Sequence, residues 1–193
     1  MNYGEGLGYW YLRLNGFFPL TNFVLHKASE VKYSSDCDII AIRTPHVKEK
    51  IGGMLIDRDK ELEPPLDFSR TVGLICEVKT GDFEVAKVLD SEKVNAAVDR
   101  LGFVEDSTEA RDLLRTQKYC LLGNQYQIAK LFIADRRLHI DRPFLFLPLE
   151  HIQEFIKHRF EQYEEKFRDR VYFNSELIQY LTWEAELKRR RPT

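Results

Sequence analysis

Three residues of this chain combine types and spacing that can do chemistry: Asp38, Glu77 and Lys79. Asp38 opens the apolar run Asp38-Ile-Ile-Ala-Ile-Arg43, and Glu77 and Lys79 stand two apart in Val72-Gly-Leu-Ile-Cys-Glu-Val-Lys79. Both runs read as strands buried on two faces. Strand side chains alternate, so Glu77 and Lys79 emerge on one face and Cys76 and Val78 on the other. An isolated buried charge is costly, so an acid and a lysine leaving an apolar strand together need a partner. Mutual pairing is one solution and a metal site is another. Two carboxylates, Asp38 and Glu77, offer hard oxygen ligands to Mg²⁺, which keeps several waters. Such an ion lowers the pKa of a bound water and neutralises charge on a phosphate oxygen. Lys79 would orient the attacking water or help deprotonate it, and add positive charge where negative charge develops. Phosphodiester hydrolysis needs this set. The competing reading is a charge pair on a solvated strand edge.

Periodicity predicts the elements that must position these residues. Leu7, Trp10, Tyr11 and Leu14 have helical spacing, and Asn15-Gly16 stops that helix. Phe17 to His26 reads as a strand. Residues 44–70, with Pro45, Pro64, Pro65 and Gly52-Gly53, read as a long surface excursion with a short strand at Met54–Ile56. After the turn Thr80-Gly-Asp, Ser91 caps a helix to about Arg100, with Gly102 beyond its end. Asp106-Ser-Thr-Glu109 has a capping-box pattern for a second helix. Gln127 to Asp135 reads as a strand, with Lys118–Leu122 or Pro143–Leu147 as its partner. Ile152, Phe155, Ile156, Phe160, Tyr163 and Phe167 mark an amphipathic helix. Asn174 caps a last one carrying Leu177, Ile178 and Leu181. Helices interspersed with strands predict an α/β domain. Residues 1–148 form its core, and 149–193 form a C-terminal helical extension packed on the core or making an oligomer or partner contact.

Asp38-Ile-Ile-Ala and Ile75-Cys-Glu-Val-Lys79 resemble the signature of the PD-(D/E)xK nuclease superfamily, an Asp opening one core strand and Glu-x-Lys on the next. Gly4-Glu-Gly-Leu-Gly-Tyr-Trp-Tyr-Leu-Arg-Leu-Asn-Gly-Phe-Phe18 resembles its first helix, which ends in a glycine before the first strand. The likeness spans residues 3–80 and follows only element order through 81–135. The proline that names the motif is replaced by Cys37, and Asp36 stands as a rival ligand two residues before Asp38. The resemblance implies a restriction-endonuclease-like central mixed β-sheet flanked by helices. It implies a Mg²⁺-dependent nuclease, with Mn²⁺ able to substitute, acting on DNA in defence, restriction or repair. Asp38, Glu77 and the Val78 carbonyl would hold metal, Lys79 would handle water, and Glu5 would assist. The alternatives are an RNA-directed nuclease or a non-catalytic nuclease-fold subunit. A homodimer or an accessory protein partner would help capture substrate.

The 29 Lys and Arg against 31 Asp and Glu exclude a generally basic nucleic-acid coat, so any nucleic acid needs a local basic patch. The tail Lys188-Arg-Arg-Arg191 is the best one. No run is long and apolar enough for a membrane span, and the N-terminus lacks the basic and apolar regions of a secretory signal. Cys37, Cys76 and Cys120 have no CxxC spacing and read as reduced thiols of a cytoplasmic protein. Glu5 also fits an ordinary first-turn acid. Gly4, Gly6 and Gly8 lack the preceding strand of a phosphate-cradling loop. Ser34, Ser35 and Cys37 have no base placed for nucleophilic work. Gln117 and Lys118 fit solvated positions better than DNA contacts, and His151 and His158 fit a surface helix better than a metal site.

Overall fold

The computed structural model describes residues 2–24, 36–48, 57–136, 142–165 and 175–190. His26, Ser34, Ser35, the strand expected at Met54–Ile56, His139, Phe167, the Asn174 cap and the side chains of the Lys188–Arg191 tail lie outside the described residues. The elements run α1 (Tyr3–Leu14), β1 (Phe18–Val24), β2 (Asp36–Arg43), β3 (Thr71–Lys79), α2 (Ser91–Leu101), α3 (Thr108–Thr116), β4 (Tyr119–Leu122), β5 (Tyr126–Ala134), β6 (Leu145–Pro148), α4 (Leu149–Gln162) and α5 (Glu176–Arg190).

The result is an α/β fold with a mixed, open sheet of six strands flanked by helices. β1, β2 and β3 are antiparallel neighbours, and β5 lies parallel to β3. Both expected partners pair with β5. β4 runs antiparallel to its first half, and β6 runs parallel to its second half. β3 and β5 are apolar along nearly their whole length because helices cover both faces. Their alternation assigns the layers. Ile39, Leu74, Cys76, Val78, Leu131 and Ile133 join α1, α4 and α5 in one core cluster. Ile40, Ile75, Ile128 and Phe132 join α2 and α3 in the other.

The helix α1 starts with a capping box. The Glu5 N–H donates to Asn2 Oδ1, and the Glu5 carboxylate accepts from the Asn2 N–H. Its glycines serve close approach rather than phosphate binding. A Cβ on Gly8 would lie 3.1 Å from Ile39 Cδ1, 3.2 Å from Val78 Cγ2 and 3.3 Å from Ile133 Cδ1. Gly8→Leu is therefore expected to push α1 off the sheet and destabilise the fold by about 2–3 kcal/mol. Denaturant melts check this, and an unchanged midpoint would refute the packing.

Three expectations are corrected. First, α2 is capped one residue earlier than expected: Asp90, not Ser91, accepts from the Lys93 N–H at 2.9 Å. Gly102 does end it, in the left-handed region at φ 62°. Second, the Asp106–Glu109 capping box does not form. Ser107 is the N-cap without a side-chain bond, and Asp106 accepts from the Thr108 N–H in a local turn. Third, residues 57–70 are no surface excursion, although Thr44, His46 and Lys48 are exposed as expected. Leu62, Leu66 and Phe68 are buried in the α1 cluster, and Asp57 and Asp59 are buried with them.

Two carboxylates pin that segment. Asp57 pairs with Arg159 of α4 and accepts from Tyr163 Oη at 2.6 Å. Asp59 Oδ2 accepts from Tyr11 Oη at 2.7 Å and lies 2.5 Å from His151 Nε2. His151 is half-buried on α4 by this contact, whereas His158 faces solvent, with its side chain 78% exposed. The bond to Asp59 raises the His151 pKa. Burial pushes Asp59 up, but bonds from His151, Tyr11 and the Glu61 N–H outweigh it and hold Asp59 low. The histidine's contribution is whole below its ordinary value of 6.5 and fades as pH rises through the raised value. The aspartate's is whole above 3.8 and fades as pH falls through the lowered one. The stability gap between the parent and His151→Ala is therefore expected to be widest between pH 3.8 and 6.5 and to narrow in alkali. Melts across pH check this, and a gap that widens toward pH 9 would contradict it.

Candidate active site

The candidate site opens where β2 and β3 part. Their ladder runs from Arg43↔Val72 to Ile39↔Cys76, which brings Asp38 and Glu77 to the next opposed position. Directly opposed residues share a face, so both carboxylates belong to the α2 side of the sheet. Asp38 Oδ2 accepts the Val78 N–H at 2.7 Å, a bond that a strand carbonyl makes elsewhere in the ladder. A strand residue's N–H and C=O leave by the same edge, so the Val78 carbonyl also faces the gap beside Asp38.

Lys79 joins the two acids. Its Nζ is 2.9 Å from Glu77 Oε1 and 3.7 Å from Asp38 Oδ2. The other Glu77 oxygen, Oε2, takes the Lys93 ammonium of α2 at 3.0 Å and the Leu89 N–H at 2.8 Å. Leu89 holds φ 50°, the only positive φ outside glycine among the described residues. Strain of this kind collects at functional sites, where the surroundings enforce it. Here it accompanies the N–H bond that fixes Glu77.

Exposure and charge divide the site into a buried and an open side. Glu77 is 2% exposed and Lys93 8%, whereas the Lys79 side chain is 36% exposed. Burial raises the Asp38 pKa, and the charges of Glu77 and Glu5 add to the rise against the Val78 N–H and Lys79. Burial also acts on Glu77, but the Leu89 N–H, Lys93 and Lys79 outweigh it and hold that pKa down. Two carboxylates pushed in opposite directions are a feature of acid–base sites. Burial lowers the Lys79 pKa, but its bonds and charge contact with Glu77 and Asp38 more than reverse this. In this arrangement Lys79 is a cation at neutral pH, fitted to stabilise negative charge rather than to take a proton.

All three motif residues are therefore brought together, with the Val78 backbone beside them. Glu5 stands apart. Its carboxylate bonds the Asn2 N–H at 3.1 Å and Asn2 Nδ2 at 2.7 Å, and it reaches the site through its field at Asp38. Asp36 pairs its backbone with Val24 on the β1 side. Cys37 is no nucleophile, because burial pushes its thiol up to about 12. Gln117 ends α3 as its C-cap.

Lys93 and Leu89 are the residues that motif reading missed. The signal for Lys93 was present: it shares the buried face of α2 with Val94, Ala97, Val98 and Leu101. Among the described residues, no three His, Cys, Asp or Glu side chains converge as a metal cluster. The donor chemistry still fits Mg²⁺, which needs only one or two carboxylates when water and phosphate oxygens complete its shell. Asp38 and Glu77 supply these, and the Val78 carbonyl supplies a third hard oxygen.

Compared with known proteins, the chain matches no family model, no curated protein and no solved structure. Among the described residues, no helix is long and apolar enough to cross a membrane.

Proposed function

We propose that this chain is a Mg²⁺-dependent nuclease of restriction-endonuclease-like fold that hydrolyses phosphodiester bonds, with DNA as its substrate. One observation carries the reading: Asp38, Glu77, Lys79 and the Val78 carbonyl meet at the mouth of a gap between two buried strands. The adjacency of the two motif strands, with α1 leading into β1, further supports it. When bound, the cation supplies an activated water and neutralises phosphate charge. Asp38, Glu77 and the Val78 carbonyl would hold it. Lys79, the most exposed of the charged groups, adds positive charge beside the reacting phosphate. Lys93 and the Leu89 N–H keep the Glu77 carboxylate ionised and in place.

A second reading has one observation in its favour. Two ammonium groups already neutralise Glu77, as expected of a non-catalytic nuclease-fold subunit that binds nucleic acid or a partner protein. A substrate panel separates the two: supercoiled plasmid, linear duplex, single strands, branched DNA and RNA, each with Mg²⁺, Mn²⁺ or chelator. Metal-dependent cleavage supports the nuclease, and the preferred substrate decides between DNA and RNA. No cleavage of any substrate by folded protein would overturn it in favour of the binding subunit.

A further inference from the structure

On the same face of the sheet, a cavity of about 340 Å³ adjoins the candidate site. The two share a wall. Leu89, whose N–H holds Glu77, lines the cavity, as does Val94, the neighbour of Lys93. Among the described residues, four cationic side chains line it as well: Arg111, Arg115, Lys130 and Arg142. The one carboxylate in its wall among the described residues, Asp90, is engaged in capping α2. Arg111 and Arg115 reach Asp99 and Asp112, which are not part of the wall.

Lys130 is the least expected member. It interrupts the apolar β5 strand and is 2% exposed, with its ammonium bonded to the Leu114 carbonyl at the end of α3. Burial lowers its pKa to about 8. One carbonyl uses one of three ammonium donors. Among the described residues, the buried Nε groups of Arg111 and Arg142 also lack a hydrogen-bond partner, as does the Asn95 Oδ1 acceptor. Cations with spare donors around a confined space call for an anion with several oxygens. The spare acceptor suits an N–H or O–H donor on the same ligand.

Register sets the distance from the candidate site. Lys130 pairs with Ile75 and Phe132 with Glu77, so Lys130 lies one strand across and two residues back from Glu77. Strand geometry makes that about 8 Å between Cα atoms. A separation of that order lets one strand reach both the cavity and Glu77. The volume is at the small end for ligand pockets, which suits a chain end better than a strand passing through. Four cations also favour the dianion of a phosphate monoester over a singly charged diester.

We propose that this cavity binds the terminal phosphate monoester of the nucleic-acid strand that the adjoining site cuts. The choice of a nucleic-acid strand rests on the nuclease reading, whereas the phosphate pocket stands on the cavity itself. The test measures binding of one labelled oligonucleotide with a 5′-phosphate, a 3′-phosphate or hydroxyl ends only, by anisotropy in chelator. It uses the full chain, Arg142→Ala, and Arg115→Ala with Arg142→Ala. Inorganic phosphate serves as competitor. The phosphorylated end is expected to tighten binding at least ~10-fold, the equivalent of about 1.4 kcal/mol. The ratio should collapse toward one in the arginine variants, and inorganic phosphate should erase it in the parent. Whichever end carries the advantage identifies the polarity. Equal affinity for phosphorylated and hydroxyl ends, or an advantage that survives both substitutions, would overturn the proposal. The parallel assay with Mg²⁺ separates the two readings. An end preference without cleavage keeps the pocket and removes the nuclease, and cleavage without an end preference does the reverse.

Discussion

Lys79→Ala is expected to lower phosphodiester cleavage by about 10²- to 10³-fold, the range for removing one group that stabilises charge in the transition state. The fold should persist, because the Lys79 side chain is 36% exposed and Glu77 keeps Lys93 and the Leu89 N–H after its loss. Lys93→Met is the informative contrast. Lys93 touches Glu77 Oε2, the oxygen that Lys79 does not, and is 8% exposed. Its removal should lower the melting temperature more than Lys79→Ala and activity less. Initial rates on labelled DNA, together with thermal melts, check both. If the two lysines exchanged these effects, the water-side role would belong to Lys93.

Asp57→Ala is expected to destabilise the protein by about 3–5 kcal/mol, because removing one partner leaves a buried charge uncompensated. Asp57 is 0% exposed and Arg159 4%, and Tyr163 donates to the same carboxylate. This pair joins the 57–70 segment to α4, so its loss should free Leu62, Leu66 and Phe68 from the core as well. Denaturant unfolding measures the change. A loss under 1 kcal/mol would mean that solvent reaches Arg159 once Asp57 is gone.

The strands around the site were legible because their residues are. Asp38 followed by Ile-Ile-Ala, and Leu-Ile-Cys before Glu77, have the apolar density that only a doubly covered strand requires. The aromatic stripe of α4 was legible for the same reason at helical period: Ile152, Ile156 and Phe160 are buried. What escaped depends on distant partners. Asp59 is 48 residues from Tyr11 and 92 from His151, and no local pattern announces either bond. Residues 57–70 mix prolines and charges with apolar residues at no fixed period, so their core role was hidden. Asp106 shows the opposite error, a local pattern overruled by a tighter local turn. In the candidate site, strand alternation was enough to unite Glu77 with Lys79. Lys93 needed the fold, since only the packing of α2 on β3 turns a helical lysine toward Glu77.

In the proposed mechanism, Asp38 and its neighbours at the gap between β2 and β3 cut phosphodiester bonds. The single-turnover cleavage rate of a labelled duplex by the parent and by Asp38→Asn, both shown to be folded, in Mg²⁺ and in chelator, decides whether they do. Cleavage is expected from the parent in Mg²⁺ alone and none from Asp38→Asn. A parental rate in Asp38→Asn, or equal cleavage in chelator, would contradict the mechanism.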